Sequence, residues 1–176
     1  MLLRAAATLA LVALPALAFA ATTNPSGLPL PRFVTIRSFG ADGTVHVGPG
    51  FKYDVAWTYT QPGAPVEVIQ EFDVWRKIRD VDGWEGWVQQ STLGAARAGY
   101  ILRTLTGEQP LRASPADDAR IVAWVGPGFP VKLTTCDGTW CAVTAADHPQ
   151  GGTVATYSGY VPESNLWGVY QGEKFD

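Results

Sequence analysis

The chain repeats itself, and the repeat limits what it can fold into. At a shift of 65 residues Tyr59 meets Trp124, Pro62-Gly63 meets Pro127-Gly128, Pro65-Val66 meets Pro130-Val131, Val68 meets Leu133, Trp75 meets Trp140 and Ile78 meets Val143, without a gap. Further on, Gly86-Trp87-Val88 matches Gly159-Tyr160-Val161, and Ser91 and Leu93 match Ser164 and Leu166, at a shift of 73. The second copy therefore carries eight extra residues between Val143 and Gly159. Upstream, Val45 and Val55 meet Leu111 and Ile121 at a shift of 66. The most visible identity lies outside this register: VGPGF stands at 47–51 and again at 125–129, but its offset of 78 pairs Trp75 with Thr153. The second VGPGF corresponds instead to Gln61-Pro62-Gly63-Ala64. The two stretches share turn chemistry, in which Gly permits and Pro fixes the backbone. Each copy spans about 50 to 60 residues, a size at which an independent core is possible but marginal.

Within each copy the same order of strands is expected. A short strand and a Pro-containing turn lead to a second strand (55–59; 121–125) that ends at Pro-Gly. The third alternates Val66 and Val68, or Val131 and Leu133, on one face. The fourth carries Trp75 and Ile78, or Trp140 and Val143, and a last hairpin returns through Gly-aromatic-Val. Seven Trp, six Tyr and seven Phe, with 19 Gly and 13 Pro, suit a β-rich chain of many tight turns. On that basis Trp75, Trp140, Trp87 and Tyr160 are expected to anchor the cores.

The first twenty residues read as an export leader: Arg4, then a largely apolar stretch, then Ala18-Phe19-Ala20 as a cleavage site. Loss of Arg4 takes the 13 Lys and Arg to 12 against 16 Asp and Glu, so the mature chain is mildly acidic. No basic stripe points to nucleic acid or an anionic membrane surface. The expected division is a leader at 1–20, barrels at 32–94 and 100–168 joined closely through 94–100, and a tail at 169–176.

VHVGPGFKYDVAWTYTQPGAPVEVIQEFDVWRKIRDVDGWEGWVQQSTL resembles a bacterial SH3-like domain, and LRASPADDARIVAWVGPGFPVKLTTCDGTWCAVT…GYVPESNL resembles a diverged one. The resemblance covers residues 33–168 and implies an all-β fold of two tandem small SH3-like β-barrels. It also implies a binding role in the cell envelope, periplasmic or secreted, toward peptidoglycan or a protein partner, with no catalytic domain and no cofactor. His46 stands where the family usually has Arg two residues before the Gly-Pro, and Ser114-Pro115 lacks the glycine.

Cys136 and Cys141 are the only cysteines, and in an exported chain they read as a disulfide across a hairpin end. Their counterparts at a shift of 65 are Glu71 and Arg76, which are expected to form an ion pair. A competing reading makes Cys141 a nucleophile with His148 as base, but a Gly- and Pro-containing loop holds a base poorly. No set of Cys, His and acidic residues has metal spacing; Asp80, Asp82 and Glu85 read as a solvated turn. Phe51, Tyr53 and Trp84 sit at turns where a large side chain is hard to bury, and are the expected ligand contacts. Tyr157, Trp167 and Tyr170 either do the same in the second copy or pack between the copies. The alternative to recognition is a structural or assembly module without a small ligand.

Overall fold

Val66 and Val68 are fully buried and Val131 and Leu133 are buried, so the alternation that marks the third strand of each copy does face a core. The computed structural model describes residues 24–147 and 153–176; the stretch read as an export leader and His148 lie outside the described residues. The first copy is a sheet of β1 (Arg32–Ile36), β2 (Thr44–His46), β3 (Val55–Thr58), β4 (Pro65–Phe72), β5 (Trp75–Arg79), β6 (Glu85–Gln89) and β7 (Leu93–Gly94). The second consists of β8 (Ala98–Ile101), β9 (Gln109–Arg112), β10 (Ile121–Val125), β11 (Pro130–Asp137), β12 (Trp140–Asp147), β13 (Ala155–Pro162) and β14 (Leu166–Trp167), with β15 (Lys174–Phe175) added on β11. The strand orders, β3-β2-β6-β5-β4-β1-β7 and β10-β9-β13-β12-β11-β8-β14, are the same topology twice. The protein is two tandem SH3-like β-barrels.

The repeat extends to individual hydrogen bonds. Gly63 donates its N–H to Ile36 O and Ile36 to Ala64 O; Gly128 donates to Ile101 O and Ile101 to Phe129 O, 65 residues on. Gly63 and Gly128 share a positive φ, +94° and +79°, which only glycine adopts without strain. The second VGPGF is thus the Pro-Gly turn of its copy. A bulge falls between Val68 and Gln70 in β4 and between Leu133 and Thr135 in β11, again 65 apart. One sequence match shifts: Trp124 pairs with Pro110 as Thr58 pairs with Thr44. The counterpart of Tyr59 is therefore the buried Val125 rather than Trp124, and the one-residue step between shifts lies at the Pro-Gly turn. The eight extra residues lengthen the β12–β13 hairpin, which stays paired as far as Asp147 and Ala155.

The cores match position by position. Ile36, Val45, Val66, Val68, Ile78 and Val88 fill the first. Ile101, Leu111, Val131, Leu133, Val143 and Val161 stand at the same places in the second. The four expected aromatic anchors divide into two buried and two half-buried residues. Trp75 and Trp87 are buried, but they lie on the opposite strand face from Ile78 and Val88 and belong to neither core cluster. Trp140 and Tyr160 are only half-buried and also stand outside the core. Val55 is exposed, while Trp57 and Tyr59 pack on the core edge, because a bulge at Val45–His46 interrupts the β2–β3 pairing.

Glu71 and Arg76 face each other across β4–β5, and Cys136 and Cys141 occupy the same positions across β11–β12 as a disulfide, Cα–Cα 4.2 Å. The expected ion pair forms at 3.2 Å, but both side chains are buried rather than exposed. Glu71 also accepts from Ser26 N–H and Oγ and from Arg32, while Arg76 donates to Gln90. Burial alone would raise the Glu71 pKa; the Ser26 and Arg32 hydrogen bonds and Arg76 overcome that and hold the carboxyl below the ordinary range. Its folded-state pKa therefore lies below its unfolded one. The stabilisation is complete above the unfolded value of about 4.3 and is lost as pH falls through the folded value. Glu71→Gln should cost on the order of 3 kcal/mol at pH 7, because Arg76 is left buried without its counter-charge. The variant should also lose part of the wild-type acid sensitivity below about pH 4, as thermal melts across pH would record.

Candidate functional site

The loop after β2 spans residues 47–54, and the loop after β9 spans 113–120; both have eight residues and the same internal bonds. Val47 donates to Asp54 O, Gly50 to Gly48 O and Tyr53 to Gly50 O. Ala113 donates to Arg120 O, Ala116 to Ser114 O and Ala119 to Ala116 O. A side chain from the preceding strand ties each loop down. His46 Nδ1 lies 2.8 Å from Tyr53 O, and Arg112 Nη1 donates to Ala119 O at 2.8 Å. The arginine missing before the first Gly-Pro thus stands in the second copy, and a histidine makes the corresponding contact in the first.

In the first barrel this loop is folded over the outer face of β2 and β5. Phe51 meets Trp75 edge-on at 5.1 Å, His46 meets Trp75 at 5.5 Å, and His46 meets Phe51 at 5.9 Å. Trp75 is left 6% exposed while Phe51 remains 72% exposed. Beside this triad runs a groove of about 500 Å³, its rim supplied by Arg37, Asp42, Gln89 and Ser91. Arg37 is fixed across the rim by donating to Ser91 O, and Thr92 donates to Asp42 O. An apolar aromatic floor with a hydrogen-bonding rim can stack on a flat ligand face and read its polar edge.

The structure divides the three expected ligand contacts. Phe51 lines the groove. Tyr53 turns back into its own loop under Gly48 and carries Lys52 over its ring at 5.3 Å, so it braces the loop. Trp84 is 69% exposed but sits at the far end of β5, about 15 Å along the strand from Trp75. One residue of that hairpin tip, Asp82, reaches the second barrel. Asp80 accepts from Asp82 N–H and Trp84 N–H, Asp82 pairs with Arg103 of the second barrel, and Glu85 pairs with Lys77 and Arg79. Trp167 and Tyr170 also pack between the copies, against Phe33, and Tyr170 donates to Glu67 at 2.8 Å. Burial, followed by that bond, raises the Tyr170 pKa. Tyr157 stays exposed on β13.

Sequence reasoning missed His46, Trp75 and Arg37 as groove residues. For Trp75 the signal was present, because it is three residues from Ile78 and so on the other face of the strand. Among the described residues one cluster has metal-ligand types within reach, Cys136, Cys141 and Glu163, and its two sulfurs are joined to each other.

Paired barrels of one topology, with a groove under the loop that follows the second strand, define a tandem SH3-like module. The chain belongs to the bacterial SH3 domain family, whose model matches residues 41–94 and 106–168. Two solved structures similar to it are NlpC2 from Trichomonas vaginalis, at 14% identity and TM-score 0.30, over 78% of this chain and 48% of that one, and NlpC1 from the same organism, at 15% and 0.30, over 84% and 50%. The chain spans about half the length of each. No curated protein matches it.

The loop geometry explains its glycine. A Cβ on Gly48 would meet the Tyr53 ring at 2.6 Å, whereas one on Gly50 would sit at an ordinary 3.5 Å. In the second copy Ser114 carries a Cβ at the corresponding place because Ala119 replaces the ring. Gly48→Ala should therefore cost about 1 to 3 kcal/mol in chemical denaturation and Gly50→Ala much less, with the Gly48→Ala penalty largely relieved by adding Tyr53→Ala.

Proposed function

We propose that the protein is a non-catalytic recognition module of the cell envelope, and that the groove formed by His46, Phe51 and Trp75 takes a segment of peptidoglycan. The observation that carries this reading is Phe51: a large ring left exposed, held by a braced loop over a buried indole, beside a groove with a polar rim. Sugar rings and peptide planes both offer a flat face to such a floor and hydrogen-bonding edges to such a rim. Export fits the disulfide, which persists in oxidising compartments, and among the described residues no helix is long and apolar enough to cross a membrane. The absence of catalysis fits the same bond, since a paired Cys141 offers no thiolate.

Intact protein should co-sediment with purified cell-wall sacculi. Phe51→Ala should weaken that binding about tenfold or more, while Trp84→Ala, outside the groove, should leave it near the wild-type level. Failure of the intact protein to sediment would remove peptidoglycan and leave a protein partner as the occupant. Thiol titration of the natively folded, unreduced protein should find no reactive cysteine; two free thiols would revive hydrolysis through Cys141.

A further inference from the structure

The second barrel has a groove at the same place, with different chemistry. Asp117, Trp140, Pro162 and Ser164 line a cavity of about 330 Å³, together with Gly138, Thr139 and Gln171. At the shifts of 66, 65 and 73 these first four correspond to Phe51, Trp75, Gln89 and Ser91 of the first groove. The two loops share their hydrogen bonds, so the scaffold is constant and the side chains alone differ. Where Phe51 covers Trp75, Asp117 stands in the second groove, and Trp140 stays half-open.

Asp117 is exposed and joins none of the ion pairs among the described residues. Asp118 next to it is exposed and likewise outside those ion pairs, and Lys174 shares a neighbouring cavity with Trp140, whereas other neighbours are committed. Asp137 accepts from Thr139 N–H and Trp140 N–H, and Arg112 is turned onto Ala119 O. The cavity lining thus holds one carboxylate, Asp117, together with the half-buried Trp140 indole. An indole face attracts a cation through its quadrupole, and a carboxylate supplies the counter-charge.

We propose that the second groove is a binding site for an ammonium group, such as the amine of a peptide side chain, held between the Asp117 carboxylate and the Trp140 ring. The two barrels then carry different specificities on one scaffold: the first takes a neutral flat surface and the second an amine. This assignment does not depend on what the first groove binds.

N-acetyl-lysinamide titrated into the full chain should move the Trp140 indole N–H resonance, identified by its loss in Trp140→Phe, in a saturable way. The Nε-acetylated compound, which keeps the length and loses the charge, should not move it. Asp117→Asn, a surface change that leaves the loop bonds intact, should weaken binding about fivefold, and added salt should weaken the wild type in the same direction. Equal shifts from the acetylated compound, unchanged affinity in Asp117→Asn, or shifts confined to Trp75 would each overturn the proposal.

Discussion

The pair between Arg97 and Glu173, two bonds at 2.7 and 3.1 Å, joins the link between the barrels to the last residues of the chain. Only residues 95–97 separate β7 from β8, and Arg97 is the last of them. It also donates to Gly168 O and lies 4.2 Å over the Phe175 ring. The same terminal segment packs Trp167 and Tyr170 on Phe33 and reaches Glu67 through the Tyr170 hydroxyl. A fork-shaped guanidinium suits this task, because one planar group holds two carboxylate oxygens and a carbonyl without rearranging. The relative position of the barrels is thus fixed by residues that would otherwise pass for a tail.

The chain ends close a corresponding corner in each barrel. In the first, Ser26 and Arg32 close over Glu71, beside Arg76 and Gln90. In the second, the corner holds the disulfide and Glu163, the counterpart of Gln90. Glu163 is 1% exposed, and its two oxygens accept from Gly138 N–H and Gly172 N–H. One barrel therefore joins two strands by a buried charge pair and the other by a covalent bond. The buried pair depends on a surrounding network for its net gain, while the disulfide acts largely by restricting the unfolded chain. In the second corner two backbone donors, Gly138 and Gly172, satisfy the Glu163 carboxyl where Arg32 and Arg76 surround Glu71 in the first.

The repeat was legible because it is a pattern of turns and small apolar residues, and these answer to backbone geometry that a barrel cannot change. Pro-Gly at 62–63 and 127–128, Val66 and Val68, and the Glu71–Arg76 and Cys136–Cys141 positions could all be read from spacing. The aromatics could not be placed by size. Trp75 is buried, but outside the cluster formed by Ile36, Val45, Val66, Val68, Ile78 and Val88, and its bulk is covered by the loop carrying Phe51. Parity with Ile78 already put it on the other face. Tyr53 and Phe51 are two residues apart and equally suited to a ligand by composition, yet the fold of the loop lays the Tyr53 ring against Gly48, still partly exposed, and leaves Phe51 farther out. The clustering around Arg97 joins residues 76 apart in the chain, a separation at which no local pattern speaks.

Divergence between the copies is concentrated where the scaffold leaves it free. A bond from the preceding strand to the carbonyl of residue 53 or 119 is kept, although His46 and Arg112 make it with different chemistry. The loop bonds are backbone bonds, so they tolerate any side chain that avoids a clash, and FKY in one copy can stand as DDA in the other. Ser114 in place of Gly48 is permitted only because Ala119 stands in place of Tyr53, so substitutions inside the loop are coupled. Phe51, which packs on Trp75, and the exposed Asp117 stand outside that coupling. A duplicated barrel can therefore change the side chain it presents at this one position while keeping its loop bonds and its aliphatic core.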